Sequence, residues 1–271
     1  MRFVWFVCVM VVCGGAGAQV LQLEGTRASA CGGCVSVMDG PESAFDNPAA
    51  LARQEGGCLF LDAQNDYLLP SLTCVAVGSA VAASHTNLSL CVAYFGDAFF
   101  HETTLSLGGA RCLFRTLLMG VRINYHHLSQ GEAYARRHYA TSDVGWIWVF
   151  SDRVALGLYW ANPFFISFRS ESPLSGSSGV SAGMLFHAGP HVLVVAELER
   201  RAQRTLNLKG GMEWVLSNSF TFRCGFQHAT RTLSLGCGLL FQRIKVNLLV
   251  SNSLFPGPHV GMGFLYEWIK G

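Results

Sequence analysis

Charged side chains are scarce in this chain. Asp, Glu, Lys and Arg make up 13% of its 271 residues, whereas a soluble domain typically carries about 25%. This deficit indicates that much of the exterior does not face water. The net charge is only +2, which gives no electrostatic case for nucleic acid, so we expect no nucleic-acid partner.

Apolar runs suited to a membrane-spanning helix are also lacking. Residues 67–96 contain no Asp, Glu, Lys or Arg, but Pro70, Gly78 and several Ser and Thr residues interrupt them. The 30 glycines argue further against helices, because each costs about 1 kcal/mol relative to alanine. A helical membrane protein is the rival interpretation of this composition. Two tilted strands of about ten residues fit the segment better.

The N-terminus has the pattern of a secretory signal peptide. Arg2 precedes an apolar stretch over residues 3–13, and Ala16-Gly17-Ala18 offers a small-residue cleavage site. We therefore divide the chain into a signal peptide (1–18), an irregular N-terminal segment (19–57) and a region of strands (58–271). The only helix-like piece of the irregular segment is 49–53, after Pro48.

Alternation with a period of two fills the third region. At the C-terminal end, Val260, Met262, Phe264, Tyr266 and Trp268 alternate with Gly261, Gly263, Leu265 and Glu267, so one face of a strand is apolar. We predict an all-β fold, a transmembrane antiparallel barrel of about fourteen strands, in which this last strand pairs with the first. The predicted strands are 58–66, 71–83, 87–95, 101–110, 116–128, 138–150, 153–163, 178–187, 190–200, 204–216, 219–229, 231–242, 244–252 and 259–268.

Aromatic residues cluster near the predicted strand ends, as they do at the interfaces of membrane barrels. The residues in question are Trp146, Trp148, Tyr159, Trp160, Phe164, Phe165, Trp214, Tyr266 and Trp268. The barrel prediction places the protein in the outer membrane of a diderm bacterium, with the lipid bilayer as its surroundings.

Charged residues inside the later strands fall on the face opposite to the apolar one. A Lys or Arg that faces the middle of a bilayer costs about 2–4 kcal/mol, so these side chains should point into the lumen and pair across strands. The predicted luminal polar network consists of Glu197, Glu199, Lys209, Glu213 and Arg223. A packed salt-bridge network is favoured over a selectivity filter.

No catalytic or metal-binding pattern stands out. Two of the ten cysteines lie in the signal peptide, and Cys31-Gly-Gly-Cys34 has neither a second such pair nor a nearby histidine pair. We interpret it as a tight glycine turn. The adjacent His126 and His127 diverge on a strand, so we expect no metal site, no catalytic residues and no cofactor, and we do not expect an enzyme.

Three stretches of the N-terminal segment carry a family resemblance. They are Gly25-Thr26-Arg27, Cys31-Gly32-Gly33-Cys34 and Asp46-Asn47-Pro48-Ala49. This pattern resembles the N-terminal signature of FadL-type outer-membrane transporters and of the related PorV/PorQ-type barrels. The cysteines around the glycine pair depart from it.

The resemblance implies a fourteen-stranded barrel whose N-terminal segment folds inward as a hatch. In the transporters, a hydrophobic ligand such as a long-chain fatty acid passes when the hatch rearranges. By this resemblance Asn47, Pro48, Ala49, Gly32 and Gly33 are the hatch and ligand-gating residues. The alternative is a PorV-like barrel that does not transport small molecules, with a secretion or surface protein as its partner.

Overall fold

The chain forms a closed barrel of fourteen antiparallel strands. The structure, a computed structural model, describes residues 24–40, 42, 45–131, 136–168, 178–202, 204–254 and 257–268. The strands are β1 Gly57–Asp66, β2 Thr73–Val81, β3 Asn87–Gly96, β4 Phe100–Phe114, β5 Leu117–Gln130, β6 Arg137–Ser151, β7 Val154–Ser167, β8 Gly179–His187, β9 Val192–Arg201, β10 Asn207–Ser217, β11 Phe220–Gln227, β12 Thr232–Phe241, β13 Ile244–Ser253 and β14 Pro258–Trp268. The predicted signal peptide and residues 19–23 lie outside the described residues.

Each strand pairs with its neighbour in the chain, and β14 pairs with β1 from Gly57–Trp268 to Asp66–His259. The predicted all-β barrel and its closing strand are confirmed. The rival helical interpretation is wrong, because the segment 67–96 forms parts of a sheet. Among the described residues, no helix is both long and apolar enough to cross a bilayer.

Apolar side chains point outward and small or polar ones point inward. Strand β3 shows the pattern: Leu88, Leu90 and Val92 are 46–50% exposed, while Ala93 and Ser89 are buried. This is the reverse of a soluble sandwich, and it is the arrangement that a barrel surrounded by lipid requires.

Exposed aromatic side chains lie near both rims of the barrel. Phe114, Trp148 and Trp214 are exposed near one rim, and Phe99 and Phe168 near the other. For two aromatic residues, the assignment to such belts is wrong. Tyr159 is 1% exposed and faces the lumen, and the ring of Phe165 stacks on the buried Tyr139 with centroids 5.4 Å apart.

The connections differ between the two rims. At the rim where β1 begins, four turns contain two residues each (115–116, 152–153, 218–219 and 242–243), whereas the opposite rim carries the longer connections 67–72 and 168–178. Short turns at one rim and longer loops at the other are typical of outer-membrane barrels.

The N-terminal segment packs against inward-facing residues of the barrel. We call its described residues, 24–40, 42 and 45–56, the plug. The plug contains an α-helix, α1 Thr26–Ala30, and a 3₁₀ helix, Pro48–Arg53. The sequence predicted only the second of these. Helix α1 has five residues and no side-chain N-cap of its own. The Asp62 carboxylate of β1 accepts the Thr26 N–H instead, at 3.0 Å.

The largest apolar core lies between the plug and the wall. Cys34, Val35 and Met38 of the plug pack there with Ile147 and Val195 of the barrel, and all five are at most 4% exposed. A closed barrel of this size therefore has a filled interior rather than an open channel at mid-height.

Candidate functional site

Three cross-strand glycine pairs receive the backbone of the plug. They are Gly120–Gly145 on β5–β6, Gly157–Gly183 on β7–β8 and Gly211–Gly225 on β10–β11. A Cβ added at any of these six positions would overlap plug atoms. The glycines thus let plug backbone approach the wall more closely than any other residue type allows.

Gly32 and Gly33 form a tight turn against the Gly211–Gly225 pair. Their φ angles are +75° and +71°, in the left-handed region that only glycine adopts without strain. A Cβ on Gly32 would meet the backbone of Gly210 and Phe226. The flanking Cys31 and Cys34 are free and buried, and burial raises the pKa of the Cys31 thiol to about 12.

Asn47, Pro48 and Ala49 lie against the Gly120–Gly145 pair. The Asn47 side-chain oxygen accepts the Ala49 N–H at 3.0 Å and caps the 3₁₀ helix, with Pro48 in its first turn. The Asn47 amide nitrogen donates to Ser36 O within the plug and to Leu158 O of β7, the latter at 3.3 Å. This one side chain therefore joins two parts of the plug to the wall.

Glu197 and Lys209 hold the segment that follows the glycine turn. The Glu197 carboxylate accepts the N–H groups of Val35 and Ser36 at 2.8 and 2.7 Å. Lys209 Nζ donates to Gly33 O at 2.7 Å and lies 3.2 Å from the carboxylate of Glu199. Lys209 thus lies between two buried carboxylates, and Lys209 and Glu197 both bind plug backbone.

Glu213 joins the plug to a second ionic cluster. Arg27 of the plug binds the Glu213 carboxylate through two nitrogens, at 2.9 and 3.0 Å. Arg223 Nε donates to the same carboxylate at 2.6 Å, and its Nη1 donates to Asn247 at 2.9 Å. Glu42 of the plug accepts from Asn247 at 2.9 Å.

The charge on Glu42 is stabilised within this cluster. Burial alone would raise the pKa of its carboxyl, but Lys245 and Arg27 outweigh that effect and lower the pKa to about 2. Asp46 behaves in the opposite way. Burial raises the pKa of its carboxyl to about 8, although the Gly25 N–H bound at 3.0 Å acts against the shift.

The structure thus places the five charged residues of the predicted luminal network on the inner face, each at most 8% exposed. They form two clusters rather than one. Glu197, Glu199 and Lys209 lie on β9–β10, and Glu213 and Arg223 on β10–β11. Both clusters bind the plug, and the predicted gating residues contact separate parts of the wall.

Sequence reasoning missed several residues that hold the plug. Asn87 Nδ2 donates to Leu51 O at 2.7 Å and to Gln54 O at 2.9 Å, which caps the C-terminal end of the 3₁₀ helix. Asp62 caps α1, and Arg27 completes the Glu213 cluster. Asn87 could have been identified from the sequence, because it is a polar residue at an inward-facing position of an apolar strand.

A further polar cluster lies inside β4–β6. His126 Nδ1 is 2.9 Å from Glu102 Oε1 and its Nε2 is 3.0 Å from Thr141 Oγ1. Tyr139 donates to Glu102 at 2.7 Å and stacks on the His126 ring. Both ring nitrogens of His126 have partners, and the residue is 2% exposed. Within the described ranges, no group of three or more His, Cys, Asp or Glu residues could hold a metal ion.

The plug meets β1–β4 along an apolar contact that we call the seam. On the wall it consists of small side chains, one ring and Leu265 of the adjoining β14, and Phe45 and Leu51 cover it from the plug; the wall residues on β1–β4 are Cys58, Phe60, Ala76, Ala80, Cys91, Ala93 and Ala110. All of these are at most 4% exposed. The ion pairs of the plug lie elsewhere on the wall, with Arg201 on β9, Glu213 on β10 and Lys245 on β13.

No family model and no curated protein matches the sequence. Solved structures do match the fold. The toluene transporter TbuX of Ralstonia pickettii is 11% identical with a TM-score of 0.66, over 92% of this chain and 99% of that chain. The toluene transporter TodX of Pseudomonas putida is 11% identical with a TM-score of 0.66, over 92% of this chain and 98% of that chain.

A FadL homologue of Pseudomonas aeruginosa is 11% identical to this chain with a TM-score of 0.57, over 87% of this chain and 94% of that chain. At such identity the likeness concerns the fold. This chain therefore has the fold of the FadL-type barrels, as the motifs of its N-terminal segment predicted.

Proposed function

We propose that this protein lies in a bacterial outer membrane and lets hydrophobic small molecules cross it, with the plug as a movable hatch. An apolar outer face, a closed sheet and an inward-facing set of charges support the membrane location. The role we propose is not enzymatic. The solved structures that share the fold include toluene transporters.

The seam is the observation that carries this proposal. Ion pairs hold the plug to β9, β10 and β13, whereas its contact with β1–β4 is apolar apart from the hydrogen bonds of Asp62, Gln64 and Asn87. An apolar molecule that replaces Phe45 or Leu51 keeps an apolar contact with the alanine, cysteine and Phe60 side chains of the wall. On the ionic side it would leave buried charges without partners, which is strongly unfavourable.

The seam is closed in this structure, since Leu51 and Cys58 are completely buried. Passage therefore requires the plug to shift away from β1–β4. The ligand class that fits is a hydrophobic small molecule. Long-chain fatty acids are the member of that class that the family resemblance implies.

The test is to obstruct the seam. Ala93 is 1% exposed and faces the seam, and its neighbour Val92 is 46% exposed on the outer face. Ala93→Trp should reduce the uptake of toluene and of palmitate by cells that express the protein, because the indole fills the path. Val92→Trp adds the same group to the outer face, away from the plug, and should leave uptake unchanged.

Equal uptake by the two variants, with both barrels folded, would refute passage along the seam. The PorV-like alternative stays a prediction. It would gain support from a barrel that gives no uptake of either compound, in wild type or variant, and that binds a secreted or surface protein stoichiometrically.

A further inference from the structure

A cavity of about 450 Å³ lies above the plug, near the rim that carries the longer connections. We call it the vestibule. Glu24 and Ser29 of the plug contribute to it from below, and inward-facing ends of strands around the barrel form its sides. A smaller cavity of about 80 Å³ shares Glu24 and Phe95 with it and extends to Phe45 and Ala76 of the seam. The vestibule is thus the described space through which a molecule from that rim reaches the seam.

Hydroxyl groups and aromatic rings line different parts of the vestibule. On β12–β13 the cross-strand pairs Thr232–Ser253 and Ser234–Ser251 place four hydroxyls in two rows. On β3–β4 the rings of Phe95 and Phe100 meet edge to face, with centroids 6.4 Å apart. A ligand with both a ring and a hydrogen-bonding head finds complementary surfaces here, whereas a saturated hydrocarbon matches only one of them.

Carboxylates outnumber cationic groups around the vestibule. Glu24, Asp66 and Glu102 face it, against Arg201 and His259. Arg201 is already bound by Glu24 at 3.3 Å and by Glu199 at 2.6 Å, and His259 is hydrogen-bonded to Asp66. The described lining is therefore negative whether His259 is neutral or protonated. A ligand carboxylate entering this space meets like charge, while an ammonium group meets carboxylates and aromatic faces.

We infer that the vestibule selects amphiphiles with a cationic or neutral hydrogen-bonding head on an aromatic body, and that it disfavours carboxylates such as free fatty acids. This inference rests on the proposed passage of hydrophobic molecules and narrows its ligand class. The ring lies toward Phe95 and the seam, and the head lies among the carboxylates and hydroxyls.

The test uses two probes of matched shape and opposite permanent charge, benzyltrimethylammonium and phenylmethanesulfonate. Neither crosses a protein-free lipid vesicle readily. Their uptake is measured in proteoliposomes with the full mature chain, beside uptake of the neutral aromatic toluene from the same preparation. We expect the cation to enter about tenfold faster than the anion at low ionic strength. The ratio should fall toward one as salt rises from about 0.01 M to about 1 M.

Charge variants locate the effect. Glu24→Gln and Asp66→Asn should each lower the ratio of cation to anion uptake, whereas Asp152→Asn removes a carboxylate from an exposed turn at the opposite rim and should not. Two variants at separate positions keep the test decisive if one of them fails to fold.

Each outcome has a distinct meaning. Anion uptake equal to or faster than cation uptake overturns the inference and leaves the proposed function intact, as does toluene transport with exclusion of both ions. Absence of uptake of all three probes above protein-free vesicles overturns the proposed function and this inference with it.

Discussion

Arg27 joins the plug to the wall through a buried two-nitrogen contact with Glu213, and its replacement gives a sharp prediction. Its Nε and Nη2 bind the Glu213 carboxylate at 2.9 and 3.0 Å, at a site where Arg27 is 8% exposed. In Arg27→Met the side-chain volume is largely kept, but the charge and its hydrogen bonds are lost.

The free-energy cost of this substitution depends on the contacts that Glu213 and Glu42 keep. Removal of one partner of a buried ion pair costs about 3–5 kcal/mol. Glu213 still accepts from Arg223 at 2.6 Å, and Glu42 still binds Lys245 at 3.0 Å. We therefore take the low end, about 3 kcal/mol, which corresponds to about a 10²-fold rise in the population with a released plug.

The native cysteines of the plug offer the assay. Cys31 and Cys34 are free and 0% exposed, so a thiol reagent reaches them only when the plug leaves the wall. Labelling of the peptide that contains both is followed by mass spectrometry on folded, detergent-solubilised protein. Arg153→Met, which removes an arginine from an exposed turn, is the matched control.

We expect Arg27→Met to speed labelling of Cys31 and Cys34 by about 10²-fold, and Arg153→Met to have no effect. Labelling of Arg27→Met within about threefold of wild type, with the barrel still resistant to detergent before heating, would show that this ion pair does not hold the plug.

Two further predictions concern plug docking. Gly145→Ala should displace the plug and speed labelling of Cys31, because the added Cβ overlaps the Asn47 side chain, whereas Gly189→Ala has open space around the added Cβ and should behave as wild type; equal labelling of the two would refute close docking at Gly145. Burial raises the pKa of Asp46 in the docked state to about 8, from 3.8, so the docked state binds a proton that the released state does not, and docking weakens as pH rises from about 4 to about 8. Asp46→Asn, which mimics the protonated form, should remove this dependence, so the ratio of wild-type to variant labelling rates should rise across that range; a constant ratio would contradict it.

The alternation with a period of two was sufficient to find all fourteen strands. Every strand of the closed barrel places apolar side chains outside and small or polar side chains inside. Some predicted strand boundaries were wrong, because local backbone geometry ends or extends the strand there. The second strand begins at Thr73 rather than at 71, since Pro70–Leu72 forms a 3₁₀ turn. Strand β7 continues past Asn162 to Ser167, because a bulge with φ +52° at Asn162 absorbs the irregular residues.

The inward direction of the charged side chains also followed from the sequence, but their partners did not. Glu213 pairs with Arg27, 186 positions away, and Lys209 binds Gly33 O at a separation of 176. Such contacts depend on where the plug rests inside the barrel. The role of the glycine pairs could not be predicted for the same reason, since a glycine in a strand does not indicate which backbone approaches it.

If molecules pass only when the plug moves, a reversible lock on the plug should stop their passage. A Cβ built at Gly263 of β14 lies 3.5 Å from the Cβ of Thr26 in α1, within the range of about 3.5–4.5 Å found in disulfides. It also lies 2.9 Å from the Asp62 carboxylate, which must shift slightly to admit it. The variant Thr26→Cys/Gly263→Cys can therefore be oxidised to fasten the plug to the wall, with each single variant as a control for the native cysteines.

We predict that oxidation of the double variant stops toluene uptake, that a reductant restores it, and that neither single variant responds. Uptake at the wild-type rate with the disulfide demonstrably formed would contradict the account, because passage would then require no movement of the plug.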